Sequence, residues 1–98
     1  MADIISGQNA VASAGTAELV AAAGTKGEAF AIKALPGNTG VVYIGNDGAG
    51  DVTSANGYAL SAGDQVLVEA TGRGMIDLGD VWVDAATSGD GVSWLRIR

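Results

Sequence analysis

The sequence predicts an all-β fold: a small antiparallel sandwich, jelly-roll-like or barrel-like domain of about six short strands. Three observations carry that expectation. Sixteen glycines cut 98 residues into runs too short for helices of ordinary length. The breaks carry turn chemistry, at Pro36-Gly37-Asn38, Asn46-Asp47-Gly48, Asn56-Gly57, Ala62-Gly63-Asp64 and Asp90-Gly91, where Asn-Gly and Asp-Gly supply the positive φ angles of tight turns. Between them, at roughly ten-residue spacing, lie runs rich in Val, Ile, Trp, Tyr and Phe.

Taken in chain order, residues 1–15 are small, polar or Ala-rich around an isolated Ile4-Ile5 pair. They hold too little bulk to nucleate a core, so a flexible N-terminal arm is expected over 1–15 and a single β domain over 16–98. Strands are expected at 17–22, 28–35, 41–44, 65–70, 81–85 and 92–97. The Ala-rich stretch 10–23 offers a helical alternative, but Gly15 and Thr16 interrupt it. In the run 81–85, Val81, Val83 and Ala85 share one face and Trp82 and Asp84 the other. In the last run, Ser93, Leu95 and Ile97 oppose Val92, Trp94, Arg96 and Arg98. Residues 86–91 between these two runs read as a hairpin loop.

Composition limits the core. Of the 48% hydrophobic residues, eighteen are Ala, and Val, Leu, Ile and Phe together number 23. Without cysteine no disulfide framework can compensate. Small domains short of core often gain stability by self-association, and a homo-oligomer is expected.

Charge excludes several classes of partner. Eleven acids against five bases give a net charge of −6, and Lys26, Lys33, Arg73, Arg96 and Arg98 are scattered rather than clustered. Neither nucleic acid nor an anionic membrane is an expected partner. The N-terminal residues carry no secretory signal pattern, and no apolar run approaches the roughly twenty residues of a membrane helix. Cytoplasmic synthesis without export is therefore expected.

The chemistry of catalysis is sparse. No His and no Cys are present, which removes Ser-His-Asp and Cys-His catalysis and most zinc, copper and haem sites. Gly48-Ala49-Gly50 and Gly72-Arg73-Gly74 lack the third glycine of a nucleotide-binding loop, with Thr53 and Asp77 at those positions. Carboxylates remain. Asp77, Asp80 and Asp84 lie close in sequence, and Asp47 and Asp51 flank a Gly-rich loop without EF-hand spacing. They read as turn caps, so no enzyme activity, cofactor or metal site is expected. Trp82 and Trp94 read as core or interface aromatics. Stacking of their indoles on sugar rings would instead make the chain a carbohydrate-binding module.

The stretch 30–95 carries a series of blocks. These are Ile32-Lys33-Ala34-Leu35-Pro36-Gly37-Asn38-Thr39-Gly40, Val41-Val42-Tyr43-Ile44-Gly45, Val52-Thr53 and Asn56-Gly57-Tyr58-Ala59-Leu60-Ser61-Ala62-Gly63-Asp64. They continue with Asp77-Leu78-Gly79-Asp80-Val81-Trp82-Val83-Asp84-Ala85 and Gly91-Val92-Ser93. In order and spacing they resemble small bacteriophage virion structural proteins, most of all capsid decoration (cement) proteins. The resemblance implies a β-rich protein, assembled in the bacterial host cytoplasm, that binds the major capsid protein on the outer surface of the shell and stabilises it against internal DNA pressure. Many such proteins are trimers, which implies a homotrimer, and none supplies catalytic residues. A tail, neck or head-fibre component is the alternative within the virion. On the capsid reading, residues 1–15 would form a capsid-contact arm, able to span up to about 50 Å and anchored by Ile4 and Ile5.

Overall fold

The computed structural model describes residues 4–72 and 74–98. Ten strands and one 3-10 turn follow each other along the described chain: β1 (Ser6–Ala10), β2 (Glu18–Leu19), β3 (Lys26–Gly27), β4 (Ala29–Ala34), β5 (Val42–Gly45), β6 (Tyr58–Leu60), β7 (Gln65–Glu69), β8 (Ile76–Asp77), the 3-10 turn Leu78–Asp80, β9 (Trp82–Ala85) and β10 (Gly91–Arg96). The strands form two four-stranded sheets, ordered β1-β10-β4-β7 and β2-β9-β5-β6, and a small β3-β8 pair. Every pairing is antiparallel.

Period-two patterning explains how the two larger sheets enclose a core. In β4, Phe30, Ile32 and Ala34 are completely buried, whereas Lys33 is exposed. The same face of the first sheet carries Val92 and Trp94 from β10 and Val66 and Val68 from β7. Val42, Ile44, Leu60, Val83 and Ala85 answer from the second sheet, and Val11, Val20 and Leu78 complete the cluster. The core is therefore assembled mainly from Val and Ile, with Phe30 its largest fully buried side chain.

Each of the six expected runs overlaps a strand, although only Glu18 and Leu19 of the run 17–22 are paired, β5 runs on to Gly45 and β10 starts at Gly91. Strands β1, β3, β6 and β8 lie outside those runs. They are short or, as in Ser6–Ala10, built of small and polar residues, so their pairing is set by neighbouring chain segments. The stretch 10–23 contains no helix.

Two expectations are corrected. Residues 86–91 do not close a hairpin, because β9 belongs to the second sheet and β10 to the first. They form an arch that carries the chain across the core. The face assignments on either side of it do hold, since Val83, Ala85 and Val92 are buried while Leu95 and Ile97 are 42% and 48% exposed.

The second correction concerns the N-terminal arm. Residues 6–10 pair along β10, in register from Ser6 opposite Leu95 to Ala10 opposite Gly91. Val11 is completely buried, its N–H donates to the Asp90 carbonyl at 2.8 Å, and its own carbonyl accepts from Gly89 N–H at 2.8 Å. Further along, Ala12 N–H donates to the Glu18 carboxylate, Ala14 N–H to Ser88 Oγ and Gly15 N–H to Asp84 Oδ1. Residues 6–15 therefore belong to the folded domain; residues 1–3 of the expected arm lie outside the described residues.

The small side chains that suggested an arm are what allow this segment to pack. A Cβ at Gly91 would strike the Asn9 carbonyl and stand 2.6 Å from the Ala10 Cα. The Trp94 indole lies over Gly7, where a Cβ would come within 2.7 Å of the ring. Such approach of backbone to backbone and ring to backbone is open only to glycine.

One substitution and one truncation test this account by equilibrium denaturation. Val11→Ala leaves a cavity in the core and should cost about 2 kcal/mol. Removing residues 2–11 should unfold the domain, since it takes away both that side chain and β1, the strand paired to one edge of β10. A truncated chain with an unchanged melting temperature would restore the arm.

Candidate interaction surface

The outer face of the first sheet repeats a simple pattern. One row across the strands reads Ser6, Leu95, Ala31, Leu67, and the next reads Gln8, Ser93, Lys33, Gln65. Ile97 extends the apolar row toward the C-terminus, with its N–H on the Ala29 carbonyl at 2.8 Å. Leu67, Leu95 and Ile97 are each about half exposed (50%, 42% and 48%). A shallow depression is lined by Ser6, Gln8, Ala31, Lys33, Ser93 and Leu95. Charge is thin on this face. Glu69, at the edge, is paired with Arg98 at 3.1 Å. Three large aliphatic residues on one flat, weakly charged sheet form the kind of patch that marks protein contact rather than solvent.

The predicted aromatic and arm residues fall in different places. Trp94 lies on the inner face of the first sheet, edge to face with Phe30 at a centroid distance of 6.2 Å and an angle of 71°. Trp82 is in the second sheet, next in line to Val83, which is fully buried, so its side chain leaves the opposite, outward face and lies beside Gly50. One indole is part of the core and the other sits outside the second sheet, so the two do not form a common platform for a sugar ring. Ile5 is fixed to the end of the first sheet through its carbonyl, which accepts from Arg96 N–H at 2.9 Å. Ile4, just before it, is 78% exposed.

Most of the described aspartates accept hydrogen bonds from backbone amides; at Asp80 it is the carbonyl that accepts, from the Asn46 side chain. Asp90, 6% exposed, accepts from Thr39 N–H at 3.1 Å and Gly40 N–H at 2.8 Å. Asp84, 5% exposed, accepts from Gly15 N–H at 2.9 Å and from Ala85 N–H at 2.7 Å. Asp77 caps the 3-10 turn through Gly79 N–H at 2.8 Å and also receives Gly24 N–H at 3.0 Å. Asp47 and Asp64 take the amides of Ala49 and Ser61 in their own turns. Among the described residues no group of three or more His, Cys, Asp or Glu converges in a geometry that could hold a metal ion.

Sequence reasoning placed Leu95 and Ile97 on one face of the last strand but did not identify that face as exposed. Leu67 was missed altogether. Alternation in Gln65-Val66-Leu67-Val68-Glu69 marks two faces, but only the sheet order shows which one meets the core. Comparison with protein-family models, with curated proteins and with solved structures finds no match to this chain.

The capping at Asp77 generates a pH prediction. Hydrogen bonds from Gly79 and Gly24, with Lys26 nearby, hold its carboxyl below the ordinary value of 3.8. A folded-state value lowered in this way contributes stability that is fully present above the unfolded value and lost as pH falls through the folded one. The melting temperature should therefore fall as acid is added below pH 3.8, the unperturbed value. Asp77→Asn should start from a lower melting temperature and show a shallower acid dependence. Parallel curves for the two proteins would remove Asp77 from the account.

Proposed function

We propose that this chain is a bacteriophage virion structural protein without catalytic activity, a capsid decoration protein that binds the outer surface of the major capsid shell. The observation that carries the proposal is the half-exposed apolar row Leu67, Leu95 and Ile97 on the outer face of the first sheet. Burying each of these side chains against a partner contributes about 1 kcal/mol. That is modest for a single contact, and it suits a protein held at many equivalent places on a lattice, where linked copies multiply a weak affinity.

Two further features support the reading. The longer blocks that resemble decoration proteins coincide with strand-and-turn units, from β4 through the 35–40 turn into β5, across β6 and the turn that precedes β7, and from β8 into β9. A net charge of −6 is repelled by packaged DNA and favours the exterior of a shell over its interior. No helix of the described residues is long and apolar enough to cross a membrane.

The test uses undecorated, expanded shells of the phage that encodes the chain. Purified protein should co-sediment with them, and electron microscopy should place its density on the shell lattice. The double variant Leu95→Asp/Ile97→Asp should keep its melting temperature within a few degrees, because both side chains already face solvent, and should bind at least about tenfold more weakly. Density confined to the tail, the neck or a single vertex would overturn the shell location. Undiminished binding by the variant would overturn the proposed face.

A further inference from the structure

We propose that β7 is a self-pairing edge: two copies of this chain join their first sheets through antiparallel pairing of Gln65–Glu69 about a two-fold axis at Leu67. The argument begins with which backbone groups the edge leaves open. Ala70 N–H donates to the Glu28 carbonyl, and Ala34 N–H to the Asp64 carbonyl, both across the β4-β7 ladder. Hydrogen-bonded pairs alternate along an antiparallel ladder, so Val66 and Val68 direct their amides and carbonyls toward β4. Gln65, Leu67 and Glu69 direct theirs away from it. The sheet ends at β7, and among the described residues these outward groups have no backbone partner.

The sequence of the strand is self-complementary in the register these groups impose. With Leu67 opposite Leu67 of the second copy, Gln65 faces Glu69 and Glu69 faces Gln65, so every outward-directed residue meets another. The three pairs exchange six backbone hydrogen bonds. Glu69 meets a neutral Gln rather than a second carboxylate, and its charge is already balanced by Arg98 at 3.1 Å within its own chain. On the inner face Val66 meets Val68, extending the core without a gap. On the outer face Leu67, 50% exposed, is covered by its own copy, and the two apolar rows become one row across eight strands.

The other edges are unlike it. Natural sheets protect their edges by shortness, charge, proline or bulges. Strands β2 and β6 have two and three residues, and β1 reads Ser-Gly-Gln-Asn-Ala, with Asn9 donating its side-chain amide to the Leu19 carbonyl. Strand β7 has five residues, no proline and no lysine, and three of its five residues are Val or Leu. Of the four edges of the two larger sheets it alone joins a length of five residues to a mainly apolar sequence, and its one charge, Glu69, is held by Arg98. A two-fold joint of this kind builds dimers and even-numbered assemblies, in place of the trimer that the family resemblance implies.

The absence of cysteine from the chain gives a direct test. In a hydrogen-bonded antiparallel pair the Cα atoms stand about 5.5 Å apart, within the range a disulfide spans. Leu67→Cys should therefore oxidise to a covalent dimer, whereas Leu95→Cys, two strands inward on the same face, should remain largely monomeric on a denaturing gel. In sedimentation equilibrium the wild-type chain should show twice its 9.6 kDa protomer mass. Leu67→Pro removes only an outward amide, a change that edge strands tolerate, and should weaken the dimer at least about tenfold. Leu67→Lys, which places like charges on the axis, should do the same if the proline variant fails to fold. A wild-type monomer, a trimeric mass, or cross-linking of Leu95→Cys as fast as Leu67→Cys would each overturn the proposal.

Discussion

The arch that carries the chain from one sheet to the other, between β9 and β10, is the constraint on which the rest of the structure depends. Asp84, near the end of β9, and Asp90, within the arch, are the two buried acidic residues at this crossing, and each receives a distant segment. Asp84 takes Gly15, and Asp90 takes Thr39 and Gly40. Asn38 and Gly91 exchange side-chain and backbone hydrogen bonds at 2.9 and 3.0 Å, while the arch amide of Ala86 donates to the Val41 carbonyl at 3.0 Å. The N-terminal segment, the turn after β4 and the start of β5 are all fixed to this one crossing. Charge-assisted bonds to buried carboxylates are among the stronger polar contacts a protein makes, and leaving their donors unpaired is costly.

This dependence follows from the thin core. Eighteen alanines fill space but contribute little buried area, and the enclosed side chains are mostly Val and Ile. Such a core stabilises the pairing of two sheets but leaves their connections loosely specified. Hydrogen bonding of loops to fixed acceptors supplies the missing specification. Close packing at Gly7 and Gly91 works in the same direction, since it brings β1 against β10 more tightly than larger residues would allow.

The fold class was legible because turn chemistry and period-two alternation are local signals. Phe30, Ile32 and Ala34 against Lys33 announce a strand with one buried face, and Val83 and Ala85 do the same. What stayed hidden is non-local. Strand β1 has no alternation of its own, and its place is set by the free edge of β10 and by Val11 reaching the core. Residues 86–91 have hairpin composition, yet the two strands they connect complete different sheets. The candidate surface was half legible. Leu95 and Ile97 were separated from Val92 and Trp94 by periodicity alone, but a period of two cannot say which face is wet.

The turn caps also explain where contact with other proteins costs least. Asp47, Asp64, Asp77, Asp84 and Asp90 all accept hydrogen bonds from backbone amides in turns, loops and the chain crossing, which concentrates negative charge at the ends of the strands. The outer face of the first sheet is left with Lys33 in β4 and, at its edge, with Glu69 held by Arg98. Desolvating charge is one cost of forming a protein interface, and here the turn-capping acids lie away from the face that carries the exposed Leu67, Leu95 and Ile97. The same division applies to β7, whose single acid is neutralised within its own chain. A fold that needs most of its carboxylates to fix loops thereby leaves a sheet face with few charges and an open edge side by side, with Leu67 belonging to both.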